Sequence, residues 1–325
     1  MTNNFWHIFY SIIASVAIAT SFALLSTLGL ASAASAPSNV LASANVLYTL
    51  YTSVSPNTIN LGNVNPNSNM PTNNMITVSD INGNIGANVF IEGTNFVYGS
   101  NSIYVSNTLW SPTSNTAYVG TPLTLSYADT AIHINAPTQT TTSQSAPIYF
   151  GFNIPGGTPA GTYTQTITFQ NENVTYSVNA LTTANVVVTA NVQQVCYITL
   201  STNSINFGQI PAAGNTGYTA NGIVDYDQGG NVAANILVEG TNWNEVSPVT
   251  GNSFGVSNTV WGTSNTVAYS AGTPLGNTLA DTNIQIPAPT QTTPTTSNNI
   301  YFGLGIPGGT PAGVYQQTIT IENSC

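Results

Sequence analysis

Lysine and arginine are both absent from the 325 residues, which carry ten carboxylates and a formal net charge of −10. Charged residues make up 3% of the chain, against roughly a quarter in an ordinary soluble domain. With no guanidinium or ammonium group nothing neutralises a phosphate backbone, which excludes nucleic acid as a partner. A Walker lysine, an arginine clamp and a Schiff-base lysine are excluded by the same composition. No Lys or Arg salt bridge can form, and ten acids with two histidines are the only charged side chains to titrate, so folding stability is expected to change little between about pH 7 and pH 3. The surface must be carried by Asn, Thr, Ser, Gln and Tyr. That suits an acidic exterior, although a drift away from Lys and Arg without selective meaning gives the same composition.

Long apolar runs are missing everywhere except near the start. Residues 8–30 (IFYSIIASVAIATSFALLSTLGL) are uncharged and mostly apolar, and the small residues ASAASA follow at 31–36. This is the order of a secretory signal, with an A-x-A cleavage pattern at Ala31-Ser32-Ala33. The usual positive charge ahead of the apolar core is lacking, since only the free amine and His7 could supply one. The run is also long enough to cross a hydrocarbon core. A cleaved signal peptide and an uncleaved membrane anchor both stand, the chain meeting a membrane only through residues 8–30 in the second case. On either reading residues from 37 onward are expected outside the cell, extracellular or at the cell surface.

The remainder is a duplication. SPNTINLG (55–62) returns as STNSINFG (201–208), and DINGNIGANVFIEGTN (80–95) as DQGGNVAANILVEGTN (227–242). IYFGFNIPGGTPAGTYTQTIT (148–168) returns as IYFGLGIPGGTPAGVYQQTIT (300–320). The offset grows only from 146 (55 to 201) to 152 (148 to 300). A repeat of this length is a tandem domain and not a solenoid unit. The expected organisation is 1–36 signal or anchor, 37–183 first domain and 184–325 second domain. Within each copy short runs rich in Val, Ile, Tyr, Phe and Thr alternate with polar residues and are cut by Asn, Gly, Pro and Ser clusters. No 3.6 period is sustained, so each copy is expected to be all-β with about seven to nine strands. Two packed sheets are the natural way to bury one face of so many strands. The loops Pro155–Gly161 and Pro307–Gly313 are glycine-rich, but no Lys follows them, and they read as turn chemistry.

The INFG strand ends, the N-G-N-V run leading into EGTN, and IPGGTPAG before the last strand resemble immunoglobulin-like domains of archaeal secreted and cell-surface proteins. Subunits of some archaeal filaments look similar. The resemblance spans both copies and implies two tandem immunoglobulin-like β-sandwich domains in a non-catalytic extracellular structural protein, a filament or surface-layer component. The alternative is an adhesin or binding module for glycans or a partner cell.

Catalytic chemistry finds little support. His133 sits between two isoleucines and is answered by Gln285 in the second copy, so a Ser-His-Asp arrangement cannot be built there. Glu92 and Glu239 match across the copies, as do Asp129 and Asp281. Each lies beside strand-ending turn residues, where an acid caps backbone donors. No cofactor is expected. Calcium is the one metal with candidate ligands: Asp80, Asn82 and Asn84 in the first copy, and Asp225, Asp227 and Asn231 in the second, offer alternating oxygens from a tight loop. The same cluster makes a hairpin turn. Trp110 and Trp261 match, as do Phe96 and Trp243, and both a carbohydrate platform and core packing fit them. Asn173-Val174-Thr175 is a glycosylation sequon in the connector between copies.

Cysteine is scarce, with Cys196 at the opening of the second copy and Cys325 at the end of the sequence. A bridge within the second domain is expected, in an oxidising compartment; an intermolecular bridge and two free thiols are its rivals. Self-association through strand edges is a further expectation. If residues 174–181 complete the first sandwich, the second is one strand short, and Ser38–Val46 of a neighbour is extended and apolar enough to fill the gap. If 174–181 is a linker, both sandwiches are complete.

Overall fold

The computed structural model describes residues 41–173 and 181–325, so the signal or anchor segment expected at 1–36 lies outside the described residues. Among those described, no helix is long and apolar enough to cross a membrane. Tyr48–Cys325 form one compact unit that contains both repeats.

The first repeat opens with β1 (Ser53–Ser55), β2 (Thr58–Val64), β3 (Ser68–Ile81), β4 (Ala87–Gly93), β5 (Phe96–Tyr98) and β6 (Asn101–Ile103). It continues with β7 (Thr108–Ser111), β8 (Thr121–Pro122), β9 (Ala128–Ile134), β10 (Ser143–Ile154), β11 (Gly161–Glu172) and β12 (Leu181–Val192). One sheet has the order β1-β3-β10-β7-β8 and the facing sheet β2-β12-β11-β4-β9, with β5 against β11 and β6 against β5. The period of two read from sequence is visible in β4, whose residues alternate buried and half-buried along its length. In β11 the same alternation sends Tyr163, Ile167 and Phe169 into a core shared with Ile76, Ile148 and Phe152 of the other sheet.

The second repeat has β13 (Thr199–Leu200), β14 (Asn221–Gln228), β15 (Ala234–Gly240), β16 (Trp243–Ser247), β17 (Ser253–Phe254) and β18 (Thr259–Gly262). It ends with β19 (Thr273–Pro274), β20 (Ala280–Ile286), β21 (Thr295–Leu304), β22 (Val314–Gln316) and β23 (Ile319–Ser324). Its sheet β13-β14-β21-β18-β19 repeats that of the first copy strand for strand. The described residues thus form two tandem all-β sandwiches.

The division expected between residues 183 and 184 falls inside β12. That strand runs antiparallel to β11 from Gly161↔Val192 to Glu172↔Leu181 and parallel to β2. Its residues Val186, Val188, Ala190 and Val192 are buried in the first core. The strand that completes the first sandwich is therefore Leu181–Val192; of the segment 174–181 considered for that place, residues 174–180 lie outside the described residues. Composition hid this, because Thr-Ala-Asn-rich β12 looks like the opening of the second copy.

Candidate functional site

The second sandwich copies the first except at the place of β12. β22 and β23 together answer to β11, but among the described residues no strand pairs with the edge that β12 covers in the first repeat. The facing half of that repeat is consequently two three-stranded sheets, β20-β15-β23 and β17-β16-β22. Residues 204–210, the counterpart of β2, form no strand, as follows from β2 joining its sheet through β12. Burial records the same loss. Tyr163, Ile167 and Phe169 are 0% exposed, whereas their counterparts Tyr315, Ile319 and Ile321 are only half-buried.

Two adjoining clefts of about 500 and 660 Å³ open along this line and share Ile205, Phe207, Trp243, Tyr315 and Gln316. Trp243 lies at the junction of both, stacked on Phe254 at 5.6 Å with 10° between the rings, and its indole N–H donates to Thr259 Oγ1 at 2.9 Å. Ile319 and Ile321 line one end, and Ile210 and Ile306 the other. The result is a trough lined by apolar side chains interleaved with Thr, Asn and Gln, and bordered by a bare strand edge. Such an edge offers unpaired N–H and C=O groups to any extended segment, and neither Lys nor Pro occurs in Val314–Ser324 to blunt it. Such an arrangement can accept an extended segment along its edge.

No family model matches the chain, and no curated protein does either. Among solved structures, a chain of the chaperone–tip adhesion subunit complex of the archaic Csu pili of Acinetobacter baumannii is 13% identical, with 84% of this chain and 100% of that one covered at a TM-score of 0.41. The CooA pilin subunit of enterotoxigenic Escherichia coli is 15% identical over 45% of this chain and 99% of that one, at a TM-score of 0.29. A family 123 glycoside hydrolase of Clostridium perfringens is 13% identical over 44% and 27%, also at 0.29. With TM-scores below 0.5, none of these likenesses bears on what this chain does.

Apart from Trp243, the sequence-selected residues lie elsewhere. Asp80 Oδ1 accepts the Tyr51 N–H at 3.0 Å, and Asn84 Oδ1 accepts the Thr49 N–H at 2.8 Å. Asn82 is exposed in a left-handed turn with φ 61°. Asp80 and Asn84 thus bind the entering chain, each through its own backbone partner. In the second copy Asp227 Oδ1 accepts the N–H groups of Tyr197 and Gly230, and Asn231 Oδ1 that of Val195. The Asn231 amide donates to the carbonyls of Thr158 and Gln193, so it joins the two repeats. Among the described residues no three His, Cys, Asp or Glu side chains cluster as metal ligands.

What the sequence did not show is that Asp80, Asp225 and Asp227 are fully buried, each with an Oδ2 that has no hydrogen-bond partner. Burial pushes all three carboxyls up. Asp225 reaches about 6, against the Asn323 amide that donates to it and with the Asp227 charge adding to the rise. For Asp80 and Asp227 backbone N–H donors oppose the rise without cancelling it.

Asp129 and Asp281 do cap turns, each accepting an N–H two residues on at 2.8 Å. His133 is exposed, with Nδ1 3.0 Å from Asn88 Oδ1. Trp110 and Trp261 are buried in the two cores. Asn173 is 8% exposed, which differs from the open loop a glycan needs; the rest of its sequon lies outside the described residues. Cys196 and Cys325 are bridged, with Cα atoms 6.1 Å apart. The groove-lining residues Phe207, Tyr315, Ile319 and Ile321 passed unnoticed as site residues. Their signal was the counterpart segment after Ile167-Thr168-Phe169, which continues into a strand in the first copy.

Proposed function

We propose that this chain is a non-catalytic structural protein of the cell exterior, a subunit that joins others through the open groove of its second sandwich. The observation that carries this reading is the edge of β22 and β23, uncovered among the described residues, beside a trough lined by Ile205, Phe207, Trp243 and Tyr315, in a repeat whose twin has that place filled by β12. The disulfide-anchored strand end and the apolar run at 8–30 favour an oxidising, exterior compartment. The ring faces of Trp243 and Phe254 are turned to each other, which favours a peptide strand over a stacked sugar as the groove's occupant. Electron microscopy and light scattering of the purified protein test the reading. Linear polymers with a regular subunit repeat are expected. A chain that stays monomeric at high concentration and binds a glycan saturably would instead support the adhesin alternative.

A further inference from the structure

Resting on that reading, we infer that the occupant of the groove is the segment Ser38–Val46 of a second copy of this chain, so that copies join head to tail by strand donation.

The argument starts from the repeat itself. At the offset of 146 that relates the starts of the two copies, residues 38–46 (SNVLASANV) fall on residues 184–192 of β12 (ANVVVTANV). Five of the nine positions are identical: Asn39/Asn185, Val40/Val186, Ala44/Ala190, Asn45/Asn191 and Val46/Val192. β12 is thus the leader of the second repeat, and it closes the sandwich of the repeat before it. The leader of the first repeat has the same pattern, with Val40, Ala42, Ala44 and Val46 where β12 buries Val186, Val188, Ala190 and Val192. Its described part is exposed and lies in no strand, Leu41 being 96% and Val46 77% exposed. Among the described residues, the second repeat thus has a groove that no strand fills, and the leader of the first repeat pairs with no strand.

A second observation concerns the loops. Where the repeats meet, Gly157 N–H donates to the Gly230 carbonyl at 2.8 Å, and the Gln291 amide reaches the Ser102 carbonyl at 3.0 Å and Thr158 Oγ1 at 3.3 Å. A Cβ on Gly157 would lie 2.1 Å from the Thr290 carbonyl carbon. The counterpart loop of the second repeat, Pro307–Gly313, has nothing within 4 Å of such a Cβ at Gly309, and Gln139, the counterpart of Gln291, is exposed. Both halves of the junction between repeats are thus present, unused, at opposite repeats of the chain. A heterologous contact of this kind generates an open filament unless its rotation closes into a ring. The register follows from β12: Ala44 opposite Tyr315, Ala42 opposite Gln317 and Val40 opposite Ile319, antiparallel, as Ala190, Val188 and Val186 lie opposite Tyr163, Gln165 and Ile167.

The test uses variants of the full chain. Deletion of residues 37–46, and separately the double substitution V40D/A44D, abolish ordered polymers while the sandwiches melt as in the unaltered protein. A synthetic peptide of residues 37–47 binds the deletion variant and shifts its melting temperature upward. Ser43→Cys in one batch and Gln316→Cys in another, mixed under oxidising conditions, become linked between chains, because Thr189 faces Thr164 at the matching positions. Polymers that persist in both variants overturn the assignment of this segment and leave the structural-subunit reading standing. Absence of polymers from the unaltered protein overturns both. A chain carrying both cysteines that links only within itself shows self-complementation and rules out the second copy.

Discussion

Asp225 shows how one residue changes an expectation drawn from composition. It occupies the position of Val78: Leu200 pairs with Asp225 as Val54 pairs with Val78, and both are 0% exposed. The absence of basic side chains suggested a flat pH profile, but a buried carboxyl needs no salt bridge to couple folding to pH. Its folded value of about 6 stands above the usual 3.8, so the folded state binds more protons than the unfolded one between these values. The corresponding stability is present at low pH and is lost as pH rises through about 6. Asp80 and Asp227, raised in the same direction, add to the trend. The difference for Asp225 corresponds to at most roughly 3 kcal/mol. The melting temperature of the protein is accordingly expected to rise from about pH 7 to pH 4. Asp225→Val should raise it at neutral pH and remove much of the slope. A melt that is flat or falling on acidification, or a variant with an unchanged profile, would sink this account.

At the scale of elements, most of the fold was legible because a period of two survives in nearly every strand, and because two copies of one pattern check each other. The turn role of Asp129 and Asp281 was legible for the same reason. What could not be read was which sandwich Leu181–Val192 serves, since strand pairing across 128 residues, as in Asn191 with Asn63, leaves no local mark. Nor could burial of Asp225 be read, because an Asp beside a Gly-Gly turn looks like surface. The disulfide was legible from the position of its cysteines, and its energetic role now has a place. It ties the chain just after β23, an unflanked edge strand, to the entry of β13 across a sequence separation of 129. Closing such a loop contributes about 5 kcal/mol in the chain-entropy account. Cys196→Ser with Cys325→Ser should therefore lower the melting transition of the second sandwich and leave that of the first in place. Differential scanning calorimetry resolves the two, and an unchanged upper and lower transition would show that β23 is held without the bridge.

For the whole molecule, the decisive contact is the one between repeats, and two glycines of the same motif separate its effect from backbone strain. Gly157 and Gly309 both have positive φ, 73° and 81°, so a side chain at either costs local strain of order 1 kcal/mol or more. Only at Gly157 does the backbone of Thr290 stand where the Cβ would go. Gly157→Val must therefore break the Gly157–Gly230 hydrogen bond and push Pro155–Gly161 off the second repeat, whereas Gly309→Val meets open space. Calorimetry and small-angle scattering of the monomer should show that Gly157→Val uncouples the two melting transitions and enlarges the particle. Gly309→Val should leave both close to the unaltered protein. In the assembled state the order reverses in part: Gly309 is the residue that would press on the loops around Gly83 and Gln139 of the next copy, so its Val variant should polymerise poorly despite an intact monomer. Equal polymer yield from Gly309→Val and the unaltered chain would mean that junctions between copies do not repeat the junction within one.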